Sequence, residues 1–235
     1  MRLSELKKQV FAVAEINPPL ANSVIVNPIY DQDDHVLRHY SLGAFTTVIP
    51  QPSNYSSFYF VHSGTLKVEY KGRDNHREVT VPAGSGFARP SDTMCLIRAE
   101  EATVYTEATF PRGVQLNPLF TMEDVPIFRN ILNVFPNMVT DAYIVKDDNY
   151  YIGLSSYDTG CERKRETLLG DAAFTCLEGE CILTLQEKEY TLNADETFIL
   201  PEGHEASVKA VVPTKLLLVA AAVSEDVPWN LDKRL

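Results

Sequence analysis

Five histidines and four cysteines are the side chains of this 235-residue chain best suited to holding a metal or attacking a substrate. His35 and His39 lie four apart in a segment of strand character, so period-two alternation sets them on one face. With His62, near the end of a second strand, they could build an unorthodox imidazole site for metal binding or proton transfer. The same alternation places His62 opposite Ser57, Tyr59 and Val61, the side chains expected inside. His76 falls in a polar hairpin and is expected to be exposed. His204 follows a proline-led turn, where it either caps an opening or is simply solvated. Cys95, Cys161, Cys176 and Cys181 show no C-x-x-C spacing and sit in or beside strand-like sequence, which favours reduced buried thiols over disulfides or a zinc site. Cys95 could be a ligand, a nucleophile or a small core filler. With no basic partner visible nearby to lower its pKa, the core role leads.

The elements that position these groups come in two copies. "VPAGSGFARPSDTMC" (Val81 to Cys95) is matched by "LNADETFILPEGHEA" (Leu192 to Ala206). Upstream, "SSFYFVHSGTLKVEY" (Ser56 to Tyr70) and "AAFTCLEGECILTL" (Ala172 to Leu185) each run from an aromatic, β-branched stretch through a glycine into strict alternation. Gly64 to Pro90 spans 26 positions and Gly179 to Pro201 spans 22; the hairpins "KGRDNHRE" and "QEKE" differ by the same four residues. Final strands over Met94–Phe110 and Ala206–Val223 also correspond. An internal duplication with one loop insertion accounts for this register.

Helical pattern is confined to the seams. "LSELKKQVFAV" spaces Leu3, Leu6, Val10 and Val13 along one helical face, and "TMEDVPIFRNIL" opens on Thr121 and Asp124 in a capping-box-like arrangement. The expected organisation is an N-terminal β domain over residues 1–110, a helical connector over 111–147 and a C-terminal β domain over 148–235. The connector is too apolar for a flexible linker and is expected to pack across both domains. A formal net charge of −11 argues against a nucleic-acid partner, and "ERKR" (Glu162 to Arg165) is the only tight basic run. Nothing resembles a signal peptide or a membrane span, so a cytoplasmic location is expected.

The spacing of glycines and prolines resembles the cupin superfamily, specifically its duplicated members, the bicupins. Gly160, Gly179, Pro201 and Gly203 fall on the pattern in the second copy; Gly64, Gly84 and Pro90 do so in the first, with Gly43 nearby. The resemblance implies an all-β fold of two tandem jelly-roll barrels with short helices at the N-terminus and in the connector. Cupins hold a metal through a His-x-His pair, a glutamate and a later histidine. In the second copy those slots carry Glu166, Leu168, Ala172 and Ala206. In the first they carry Gln51 and Ser53 (or Pro50 and Pro52), then Ser57 and Cys95. Neither copy supplies the imidazole and carboxylate set, so the expectation is a barrel kept as a container, with no metal and no cofactor.

The two sets of slots differ in polarity. Gln51, Ser53, Ser57 and Cys95, with Tyr55 and Tyr59 near and Arg89 before the proline, offer hydrogen bonds; Leu168, Ala172 and Ala206 offer none. The expected ligand site is therefore the N-terminal barrel, through Gln51, Ser53, Ser57, Tyr59, Arg89 and Cys95, for a small polar metabolite such as a sugar or organic acid. The alternatives are an isomerase, lyase or hydrolase of carbohydrate or ureide metabolism using an atypical site, and the ligand-sensing module of a regulator. Exposed sheet edges predict a homodimer or an intramolecular pseudo-dimer.

Overall fold

A computed structural model describes residues 6–32, 35–50, 55–71, 76–91, 93–111, 114–117, 120, 125–146, 150–164 and 170–221. It contains two compact β units. The first comprises residues 1–6 and 11–131, the second residues 7–10 and 132–235. The segment expected as a connector is thus divided between them at Ile131 and Leu132.

Each unit is a jelly-roll barrel made of two facing antiparallel sheets. In the first unit the larger sheet runs Val24–Gln32, His35–Leu42, Thr103–Pro111, Tyr55–Ser63, Gly86–Arg89, and the smaller runs Thr47–Val48, Met94–Ala99, Thr65–Lys71, His76–Pro82. The second unit repeats this order with Val139–Lys146, Tyr150–Tyr157, Thr214–Ala221, Ala172–Glu178, Glu196–Leu200, and with Glu162–Lys164, Ala206–Ala210, Glu180–Leu185, Lys188–Asn193. Alternation turns every second residue inward. The inward rows form one core per barrel, around Tyr59, Phe87, Ile97 and Tyr105 in the first and around Phe174, Leu183, Phe198 and Leu218 in the second.

The duplication extends to atomic detail. Gly64 and Gly179 both take positive φ, 79° and 88°, and a Cβ on either would collide with the backbone carbonyl of Ala102 or Pro213. Beside each stands a threonine that ties the corner. Thr103 Oγ1 accepts the Thr65 N–H at 3.1 Å and lies 2.9 Å from the Glu101 carbonyl; Thr214 Oγ1 accepts the Glu180 N–H at 3.2 Å and lies 2.7 Å from the Val212 carbonyl. Gly84 and its counterpart Asp195 turn at φ 77° and 68°. The shorter hairpin of the second copy closes on Gln186 and Glu187, both left-handed at φ 49° and 68°, as a two-residue turn between right-twisted strands requires.

Short helical elements stand at the N-terminal segment and in the connector, as expected, but the N-terminal one lies elsewhere than the spacing suggested. Instead of a helix over Leu3–Val13, Lys7 bridges Ile199 in parallel, the Lys8 N–H donates to the Ile199 carbonyl at 3.1 Å, and Val10–Ala12 is a strand. Lys8 itself has φ 63°, outside the helical region. A free sheet edge satisfies this backbone better than one amphipathic turn would, and the α-helix described in this segment is Val13–Ile16. In the connector Thr121 and Asp124 lie outside the described residues, and the helical turn that is described covers Phe128–Asn130. Pro126 supplies no N–H, and the Phe128 N–H donates to the Gly84 carbonyl at 2.9 Å. Phe128 then stacks on Phe58 and Phe60, closing the outer face of the first barrel's larger sheet. No helix among the described residues is long and apolar enough to cross a membrane.

Candidate functional site

The interior of the first barrel is polar on one side. Glu107, almost fully buried, projects from the strand Thr103–Pro111, where register sets it opposite Arg38 on one neighbour and Tyr59 on the other. Its two oxygens are both used. Tyr59 Oη donates to Oε1 at 2.8 Å and Tyr40 Oη donates to Oε2 at 2.9 Å. Burial and the nearby carboxylate hold both phenols protonated, with pKa values raised well above the usual tyrosine range. Tyr105 lies between them, stacked on Tyr40 at 4.7 Å and tilted against Tyr59 at 6.1 Å. Tyr59 in turn stacks on Phe87 at 4.7 Å. Its own aromatic rings therefore line and narrow this lumen.

Arg89 lies on the inward face at the end of Gly86–Arg89, only 2 % exposed. Its guanidinium donates through Nη1 to the Thr93 carbonyl at 3.1 Å and through Nη2 to Ser57 Oγ at 3.0 Å, while the buried Nε has no partner. Ser57 is its cross-strand neighbour. Cys95 is buried close by. Burial pushes its thiol up to about 11, Arg89 pulls the other way, and Glu107 adds to the rise. A basic group does stand beside Cys95, which the sequence did not show, but burial outweighs it and the group is a thiol at neutral pH. Four of the six expected site residues, Ser57, Tyr59, Arg89 and Cys95, thus share one lumen; Gln51 and Ser53 lie outside the described residues. Glu107 and Tyr40, which tie the cluster together, were not expected.

The corresponding positions of the second barrel carry no such chemistry. Ala172 pairs with Leu200 where Ser57 pairs with Arg89, and Phe174, Leu218 and Ala206 replace Tyr59, Glu107 and Cys95. Tyr151 lies across Gly153, where any Cβ would strike its ring, and fills space that the missing side chains leave. Polar groups do occur toward one edge of this barrel. Arg163 Nη1 approaches both oxygens of Asp141 at 2.7 Å, and Ser155 Oγ donates to Oδ1 at 2.6 Å. The exception expected there, Glu166, lies outside the described residues with Leu168.

The three histidines whose side chains are described stay out of both lumens. His39 and Ser41 face outward, Ser41 Oγ lying 3.1 Å from His39 Nε2 and donating to the Asn17 carbonyl. His62 makes a hydrogen bond to Thr106 Oγ1 at 2.8 Å and meets Phe60 edge-on, as alternation demanded. Burial lowers His39 to about 4, and burial with the neighbouring His39 lowers His62 to about 3. His204 Nδ1 donates to the Glu202 carbonyl at 2.9 Å, so its Nε2 accepts from Lys8 Nζ at 2.9 Å. The side chains of His35 and His76 are outside the described residues.

A cupin metal fits the described slot residues poorly. Ser57 already accepts from a cationic guanidinium, Cys95 holds its proton, and Ala172 and Ala206 have no donor atom. No cluster of three or more potential ligands occurs among the described residues.

No family profile and no curated protein matches this chain. Solved structures do. A cupin 2 conserved barrel domain protein from Leptotrichia buccalis superposes with a TM-score of 0.81 at 15% identity, covering 92% of this chain and 97% of its own. A salicylate 1,2-dioxygenase from Pseudaminobacter salicylatoxidans gives 0.62 at 13% identity, covering 80% and 71%. A variant of oxalate decarboxylase from Bacillus subtilis gives 0.53 at 10% identity, covering 93% and 78%. At such identities the likeness is one of fold, and the fold is that of the cupin barrels.

Proposed function

We propose that this chain is a two-barrel cupin that works without a metal and binds a small polar metabolite, a sugar or organic acid, in its N-terminal barrel. One observation carries the reading. Two copies of one scaffold share the same register, yet buried Ser57 and Arg89 stand where Ala172 and Leu200 complete an apolar core. Buried polar groups cost free energy that folding alone gives no reason to incur, and they persist where a ligand or water completes them. The second barrel, closed by Tyr151, Phe174 and Phe198, serves packing.

The test is a thermal-shift screen of sugars and organic acids, followed by matched substitutions. Ser57→Leu abolishes the response to any hit, whereas Ala172→Leu preserves it even as overpacking lowers the melting temperature. If Ala172→Leu removes the response and Ser57→Leu keeps it, the site is misplaced. A purely structural role for the cluster is the second reading, favoured by how tightly the first lumen is closed: Ser57 and Tyr59 are both 0 % exposed. It predicts that no hit exists.

The same reading includes self-association. Val24–Gln32 is an edge strand of the first unit's larger sheet and exposes Val24 and Val26, a face suited to pairing with a second copy. Sedimentation at micromolar concentration decides this, and a single species of 26.3 kDa removes it.

A further inference from the structure

The interior charges of the first barrel are unequal. Glu107 has a cation directly across the ladder in Arg38 and takes a phenol hydroxyl on each oxygen. Arg89 has no carboxylate within ion-pair reach among the described residues, and only two of its five N–H groups donate. A buried guanidinium without a counter-ion is costly, and its planar fork matches the two oxygens of a carboxylate. Nor does the scaffold need a charge here, since Leu200 occupies the same corner of the second barrel against Ala172.

We infer that the ligand of the N-terminal barrel is a carboxylate-bearing molecule whose anionic end is held by Arg89, with Ser57 beside it; this rests on the reading of that lumen as a binding site. A monoanion completes the balance. A phosphate dianion would add charge beside Glu107 with only one unmatched cation to receive it, and is disfavoured.

Acetate, small enough to test the anion subsite by itself, is compared with acetamide and with inorganic phosphate at constant ionic strength. Near saturation acetate raises the melting temperature by about 3 °C, acetamide leaves it unchanged, and phosphate gives a smaller rise than acetate. The double variant Arg89→Leu with Ser57→Ala installs the second barrel's own pair. It melts at or above the wild-type temperature without anion, because the unmatched charge is gone, and it no longer responds to acetate. Equal responses to acetate and acetamide overturn the inference, as does a phosphate response larger than that to acetate. So does an acetate response that survives in the double variant, or a double variant melting well below wild type, which would make Arg89 a structural charge. If acetate fails while a neutral sugar still gives a shift that Ser57→Leu removes, the binding site stands and only the carboxylate class falls. If both fail, both readings fall.

Discussion

Arg89 and Ser57 face each other across one rung of the first barrel's ladder, and Leu200 and Ala172 face each other across the same rung of the second. The backbone register is shared and only the chemistry differs. Each barrel is thus a control for the other: a polar side chain in the first has a natural apolar substitute whose fit is already visible.

Tyr59 provides the first use of that control. Its hydroxyl donates to buried Glu107 at 2.8 Å, and Phe174 occupies the equivalent place in the second barrel. The ring in Tyr59→Phe therefore fits, and the loss isolates one hydrogen bond to a charged group. Unfolding by denaturant should show a destabilisation of about 1.5–3 kcal/mol. A variant as stable as wild type would mean that Glu107 does not depend on this contact.

The duplication and the Gly–Pro corners were legible in the sequence because each corner needs a backbone conformation that few residues adopt. Gly64 and Gly179 announce themselves. Glu107 did not, since a glutamate in "EEATVYTEATF" looks solvated until the two copies are aligned from Cys95 and Ala206 onward. That alignment sets Glu107 on Leu218 and Tyr105 on Leu216, both core residues, and the signal was available there. The N-terminal segment misled for the opposite reason. Its helical spacing is real, but a backbone partner distant in sequence, Ile199, competes for the Lys8 N–H.

Acid should unfold this protein through its outward-facing histidines. In the unfolded chain each titrates near 6.5, whereas burial holds His39 at about 4 and His62 at about 3. Below pH 6.5 the unfolded state binds protons that the folded state refuses. The stability owed to the neutral imidazoles is therefore complete above that pH and is lost as pH falls toward the folded values. Between pH 7.5 and 4.5, His39 alone accounts for about 2–3 kcal/mol. His39→Gln, which keeps a hydrogen-bonding side chain beside Ser41, should give a visibly shallower stability profile over this range. An unchanged slope would mean that His39 is protonated in the folded protein.

The turn at Gln186 and Glu187 stores strain that can be released. Both residues are left-handed, a conformation that Asn and Gly adopt at far lower cost, and neither position belongs to a core. Replacing the pair by Asn-Gly should raise stability by about 1 kcal/mol in urea unfolding and leave any ligand response unaltered. A loss of stability would show that the two side chains contribute more than their backbone costs.

Metal analysis tests the emptied slots directly. A divalent cation placed between Ser57 and Cys95 would sit beside the Arg89 guanidinium, which repels it, and would need the Cys95 thiolate. Taking the proton from a thiol raised to about 11 costs roughly 5 kcal/mol at pH 7, against which a single sulfur–metal bond must work with no described imidazole in the lumen and with both oxygens of Glu107 already taken by Tyr40 and Tyr59. In the other barrel Ala172 and Ala206 offer only methyl groups. Protein purified without a histidine tag or added metal should therefore carry clearly less than one equivalent of iron, manganese, nickel or zinc, and chelator should leave its melting temperature where it was. Metal held at one equivalent through dialysis would shift the ligand set to Gln51, Ser53 or the histidines, and would make catalysis the better reading of the fold.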